Sequence, residues 1–348
     1  MTNALSTGTA IGQRFVIEAA AGSGGMGTVY RGHDKETDTT VAIKLLHANV
    51  GGHGESDRFA REVAILSELR HPGIVSYVAH GLLENGQPYL AMEWLEGEDL
   101  SQRLMRGALS VSDTLTLLRG VSDALALAHH RGIIHRDLKP GNLFLRGGQA
   151  ERVALLDFGV ARRRQATQIM TRTGSLVGTP EYMAPEQARG ERNLSAATDI
   201  FALACVVYEC LTGRPPFVAD HVAARLAKIL FEEPAPIKRL VSDLPEPFAN
   251  LLDRMLAKDP AARPRDAGVV HGVVAGILGS GTGGSSEGGA QEPTRLTVNE
   301  QELVSVVLAS RRGAPAEGEG VVVEDPGFDS YRRSEEHTSE LQSRQCIS

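Results

Sequence analysis

The chain has 348 residues, 42% of them hydrophobic and 23% charged, enough to bury a sizeable core and ordinary for a globular protein. A net charge of −7 argues against general nucleic-acid affinity, and no run reaches the roughly 18 apolar residues of a membrane span. Three cysteines give no disulfide framework, and the first ten residues lack the charged and apolar blocks of a signal peptide, so the chain reads as cytoplasmic.

Residues 1–11 are small and polar and read as a flexible tail. Phe15-Val16-Ile17 starts a strand that runs into Gly22-x-Gly24-x-x-Gly27-x-Val29. Glycine is needed where backbone must approach phosphate oxygens closely. The pattern also occurs in dinucleotide folds, but there an amphipathic helix follows; here the next segment is strand-like. Val41-Ala42-Ile43-Lys44 reads as a buried strand with one cation at its end. Residues 56–70 have helical period, with Phe59, Val63, Leu66 and Leu69 in one stripe and Ser56 as N-cap. Glu62 falls on that stripe, where a carboxylate is costly unless paired, and Lys44 is the obvious partner. His71-Pro72 ends the helix. Ile74–Leu83 and Tyr89–Trp94 read as strands around the turn 84–87.

Leu115, Leu118, Val121, Leu125 and Ala128 form a second helical stripe, closed by Gly132. It leads to His135-Arg136-Asp137-Leu138-Lys139-Pro140-Gly141-Asn142, a polar loop between the strand-like runs Gly132-Ile133-Ile134 and Leu143-Phe144-Leu145. A carboxylate beside a lysine can accept a hydroxyl proton while the lysine steadies a phosphate, and an asparagine five residues on can hold a metal ion. His129, His130 and His135 read as packing or surface residues, since none has ligand spacing. Leu155-Leu156-Asp157-Phe158-Gly159 is a short strand ending in a carboxylate. Asp199 opens Ile200–Leu211, which is apolar nearly all round and reads as a buried helix; Asp266–Leu278 reads as the last helix.

These motifs together resemble the bacterial Hanks-type (eukaryotic-like) Ser/Thr protein kinases: the glycine loop, Val-Ala-Ile-Lys, His-Arg-Asp-Leu-x-x-x-Asn, Asp-Phe-Gly and Ala184-Pro185-Glu186 stand in the family's order. The resemblance implies an α+β, two-lobed protein-kinase-like fold, with a β-rich lobe at about 12–93 and a larger helical lobe at about 97–278. It implies ATP and Mg²⁺ in the cleft. Gly22, Gly24, Gly27, Val29, Ala42 and Phe144 would surround ATP, with Met92 at the back and backbone groups of Glu93 and Leu95 on the adenine. Lys44 would contact the phosphates and pair with Glu62. Asp137 and Lys139 would serve the transfer, and Asn142 and Asp157 would hold Mg²⁺. Arg136 would clamp a phosphate on Thr171 or Thr173, placed there by autophosphorylation in trans. Thr179 would bond Asp137 and Lys139 at the platform for protein substrates bearing Ser or Thr. Asp199 would hold the catalytic-loop backbone, and Glu186 would pair with Arg263. None of Lys44, Asp137, Asn142 and Asp157 is missing, as one would be in a nucleotide-dependent scaffold without catalysis.

Residues 279–294 are rich in Gly, Ser and Thr and read as a flexible linker. Residues 295–332 read as the start of a truncated downstream region; the strand-like run 297–309 faintly resembles the entry strand of a nucleotide-cyclase domain, but Ala309-Ser310-Arg311 stands where its metal-binding Asp would be. Residues 333–348 resemble a translated sequencing adaptor and are set aside from fold reasoning.

Overall fold

The computed structural model describes residues 5–24, 27–46, 63, 67–158 and 180–280. Alternating apolar residues build the first lobe. In β4 (Thr39–Leu46), Val41, Ile43 and Leu45 are buried together with Phe15 and Ile17 of β2 (Phe15–Gly24) and Tyr30 of β3 (Gly27–Asp34). With side chains alternating across a strand, Ala42 and Lys44 point to the opposite face. These strands join β1 (Ala10–Ile11), β5 (Tyr77–Leu82) and β6 (Pro88–Glu93) in one antiparallel sheet of order β1-β2-β3-β4-β6-β5.

Residues 5–11 are not a loose tail. Ala10 and Ile11 pair with Val16 and Phe15, and Ile17 N–H donates to Thr9 O at 2.9 Å. Leu5 N–H donates to the Tyr30 hydroxyl at 3.0 Å, and Ile11 is buried. Ile11, with Leu5 packed against the same cluster, docks this mainly polar segment on a sheet edge.

Beyond β6, β7 (Gly97–Asp99), β8 (Leu143–Arg146) and β9 (Val153–Leu155) form a small sheet of order β7-β8-β9. It lies under the helical lobe: α1 (Leu100–Leu104), α2 (Val111–His130), α3 (Pro185–Ala188), α4 (Ala196–Thr212), α5 (Val222–Phe231), α6 (Glu246–Met255) and α7 (Ala267–Ser280). Asp99 caps α1, its side chain accepting from Gln102 N–H, and Ser110 caps α2 by accepting from Asp113 N–H. α4 is buried along nearly its whole length and ends at Gly213, whose φ of 74° releases the chain from the helix. Burial raises the thiols of Cys205 and Cys210 on α4, both of which are free.

Several boundaries differ from the sequence reading; α4 begins at Ala196, a turn before the expected Ile200. Ile133 and Ile134 are not in a strand, because the next backbone donors, His135 N–H and Arg136 N–H, go to the Asp199 carboxylate. The strand expected over 74–83 begins at Tyr77, with Ile74 making an isolated bridge to Leu155. The last helix continues through Gly279 and Ser280, so the expected linker does not begin at 279. Within 56–70 only Val63 and 67–70 are described; Val63 is helical and buried. The regions expected at 281–294, 295–332 and 333–348 lie outside the described residues.

Candidate active site

The β2–β3 hairpin brings Gly22 opposite Val29 and Gly24 opposite Gly27. Gly27 has a φ of +155°, and a Cβ there would stand 2.0 Å from Leu45 O, so no other residue fits. At Gly22 and Gly24 an added Cβ would meet nothing within 4 Å; both border open space. Val29 pairs with Lys44, and Lys44 in turn with Leu90 of β6. Ala42 pairs with Met92, and Val41 with Glu93 at the end of β6. Trp94, Leu95 and Glu96 then connect the two sheets.

Lys44 is buried, and its Nζ lies 2.6 Å from Asp157 Oδ2. Its expected partner Glu62 lies outside the described residues. Asp157 follows β9 with a φ of +49°, a conformation unusual for a non-glycine residue and held by its surroundings. One surrounding contact is backbone: Leu156 N–H donates to Asn142 O at 2.9 Å. The two segments that carry Asp157 and Asn142 are thereby joined one residue from Asp157.

The loop 135–142 is folded on itself. Asn142 Nδ2 donates to Asp137 O at 2.7 Å and to Asp137 Oδ2 at 3.2 Å, and Lys139 Nζ reaches the same Oδ2 at 3.1 Å. Because the Asn142 NH₂ group is committed to Asp137, its carbonyl oxygen is the end turned to other partners. An amide carbonyl and the Asp157 carboxylate are hard oxygen donors, which suits Mg²⁺, an ion that binds through few protein ligands plus phosphate. Among the described residues, no group of three or more His, Cys, Asp or Glu could hold a metal by itself. On the neighbouring face of β8, Phe144 and Arg146 alternate with the buried Leu143 and Leu145.

A model of the protein kinase domain matches residues 15–272. The chain belongs to the protein kinase family. It is 38% identical over 269 residues to the serine/threonine-protein kinase pkn3 of Myxococcus xanthus, covering 75% of this chain and 49% of that protein. It is 36% identical over 276 residues to the serine/threonine-protein kinase PknA of Mycobacterium tuberculosis, covering 78% of this chain and 62% of that one. The chain thus spans between about a third and two thirds of the length of such relatives. Among solved structures, the Mycobacterium tuberculosis PknI kinase domain aligns with a TM-score of 0.62 at 26% identity, over 79% of this chain and 99% of that one.

In this kinase domain two side chains hold the loop from outside it, the buried Asp199 and the half-buried Gln187, while a buried ion pair closes the lobe nearby. Asp199, at the start of α4, accepts His135 N–H at 2.7 Å and Arg136 N–H at 2.8 Å. Arg136 has a φ of +66°, and its carbonyl accepts Gln187 Nε2 at 3.0 Å. Glu186 and Arg263 form a two-pronged buried pair at 2.8 and 3.0 Å. Burial works to raise the Glu186 carboxyl, but the Arg263 guanidinium and the Thr198 hydroxyl outweigh it and hold the group below its usual range. Thr171, Thr173 and Thr179 lie outside the described residues.

Two histidines read from sequence as mere packing do more. His129 Nδ1 accepts Ala267 N–H at 3.2 Å, so its Nε2 carries the proton it shares with Asp199 Oδ2 at 3.0 Å. His135 Nδ1 accepts Asp137 N–H at 3.3 Å, its Nε2 donates to Leu156 O at 2.8 Å, and its ring packs on Phe158 at 4.7 Å. A histidine without metal-ligand spacing gives no sequence signal for such a bridge.

Proposed function

We propose that the domain is a serine/threonine protein kinase that transfers the γ-phosphoryl group of ATP to Ser and Thr hydroxyls of proteins, itself in trans among them. The observation that carries this reading is the convergence on Asp137 Oδ2 of the Lys139 ammonium and the Asn142 amide, beside a Lys44–Asp157 pair. Asp137 orients the substrate hydroxyl and accepts its proton as the oxygen attacks phosphorus. Lys139 stands next to the atom that takes the proton and neutralises charge on the moving phosphoryl group. Lys44 holds the phosphates, the glycine hairpin covers them, and Val29, Ala42 and Phe144 line the adenine with the backbone of Glu93 and Leu95. Asn142 and Asp157 would hold Mg²⁺, which would supply neutralisation of the phosphate charge. Positioning and electrostatics carry the rate, since phosphoryl transfer asks little covalent chemistry of the protein. The 36–40% identity to serine/threonine-protein kinases supports the choice of hydroxyl. No helix among the described residues is long and apolar enough to cross a membrane, and we read the domain as working in the cytoplasm.

Activation by phosphate on Thr171 or Thr173, clamped by Arg136, completes the reading. Incubating the full chain with Mg-ATP and mapping phosphate by mass spectrometry tests it. Phosphate should appear on Thr171 or Thr173, and Thr171→Ala with Thr173→Ala should slow transfer more than about tenfold. Phosphate elsewhere with unchanged turnover in the double variant would remove the switch and keep the kinase.

A further inference from the structure

The three residues Trp94, Leu95 and Glu96 that link the lobes are flanked on both sides by contacts from one residue outside the linker and its neighbour. Arg146, the last residue of β8, sends Nη2 to Glu93 Oε1 at 2.9 Å and Nη1 to Glu93 Oε2 at 3.3 Å. Its backbone meanwhile pairs with Gly97 of β7, and the next residue, Gly147, donates N–H to Glu96 O at 2.8 Å. The guanidinium therefore holds the start of the linker and its backbone holds the end. Glu93 is clasped again from the first lobe: its carboxylate accepts Ser76 N–H at 2.7 Å, and its own N–H donates to Ser76 O at 2.9 Å. Arg146 and Glu93 side chains are only 25% and 27% exposed, so solvent screens the pair less than an ion pair on the open surface. Phe144 shares this face of β8 two residues earlier.

We propose that Arg146 is a positioning residue for ATP: through the Glu93 carboxylate it fixes the backbone of residues 93–95 in the geometry that receives adenine. This rests on the kinase reading above. The linker then needs no ordering when the nucleotide arrives, which is how preorganisation strengthens binding. Adenine lies away from the phosphorus that reacts, so its contacts are equal in the ground and transition states. Uniform binding of that kind appears in KM and not in kcat.

The test is the steady-state kinetics of the full chain with varied Mg-ATP and a generic protein substrate, together with Mg-ATP binding measured by calorimetry. Arg146→Met should raise KM and Kd for ATP about five- to tenfold, with kcat within about twofold and the KM for protein substrate unchanged. Glu93→Gln should weaken ATP binding in the same direction, and the double variant should be no weaker than the worse single one, because both remove one contact. Arg146→Lys, which cannot form the fork, should fall between wild type and Arg146→Met. If Arg146→Met does not fold, Arg146→Lys decides by the same measurement. ATP affinity unchanged in these variants, or a parallel loss in kcat and in both KM values, would overturn the proposal while leaving the kinase intact. A wild-type chain that binds no Mg-ATP would overturn the kinase reading and this one with it.

Discussion

Asp199 and Glu186 are both carboxylates sealed inside the helical lobe, yet the regions around them are held by different chemistry. Asp199 meets backbone N–H groups of His135 and Arg136 and the Nε2 of His129, a neutral imidazole. Glu186 meets a cation whose hydrogen-bonding capacity is filled: Arg263 donates to both Glu186 oxygens and to Ala197 O, Ala257 O and Lys258 O, and it lies over the Phe201 ring at 4.9 Å. The first arrangement is directional and aims a loop, forcing Arg136 into a positive φ. The second closes the lobe by joining α3 to the turn before α7. One carboxylate sets the backbone of the 135–142 loop, and the other ties distant segments of the lobe together.

The largest effect should come from breaking the ion pair. Arg263→Met leaves Glu186 buried without its counter-charge, which costs about 3–5 kcal/mol. Differential scanning calorimetry should show Tm falling roughly 6–20 °C, at about 2–4 °C per kcal/mol for a domain of this size. Adding Glu186→Gln should recover part of the loss, since the stranded charge is then gone. A single variant as stable as wild type would mean that this pair does not close the fold.

Asp199→Asn sharpens the other side of the comparison. The amide keeps the shape but has one acceptor where the carboxylate has two, so one loop N–H loses its partner. We expect kcat to fall about 10²-fold, as when a positioning contact near the chemistry is displaced, with Tm lowered less than in Arg263→Met. Equal losses of Tm in the two variants, with kcat retained in Asp199→Asn, would erase the division of labour.

The smallest effect is in acid. Glu186 titrates below its usual 4.5 when folded. A lowered value means that its contribution is fully present above about pH 4.5 and is lost as pH falls through the folded value. The Tm difference between wild type and Glu186→Gln should therefore hold steady from neutral pH down to that point and shrink below it. A difference that stays constant into stronger acid would show that the charged form of Glu186 contributes nothing.

Much of this was legible in the chain itself, for a physical reason. The family was legible because its motifs stand in order along the chain, and the residues of one motif, Asp137, Lys139 and Asn142, do come into hydrogen-bond contact. The buried α4 was legible because it lacks a polar face. Contacts made by side chains of ordinary type were not. Arg146 and Glu93 lie 53 residues apart and meet only because β7 and β8 pair in a particular register. His129 reads as a packing or surface residue, and its bridge from Ala267 to Asp199 depends on where α7 begins. Residues 5–11 were misread for the opposite reason: they carry no periodicity, yet Ile11 is buried and the sheet edge supplies their partners.

The most direct measurement is phosphoryl transfer from Mg-ATP to a Ser- and Thr-containing protein substrate by wild type and Asp137→Asn side by side, with ATP binding measured for both. Asp137→Asn should lose about 10²–10⁴-fold in rate, the usual worth of a positioned general base, and should bind ATP like wild type. Equal rates in the two proteins would contradict the assignment of the proton to Asp137 and, with it, the role of the loop that Asp199 holds in place.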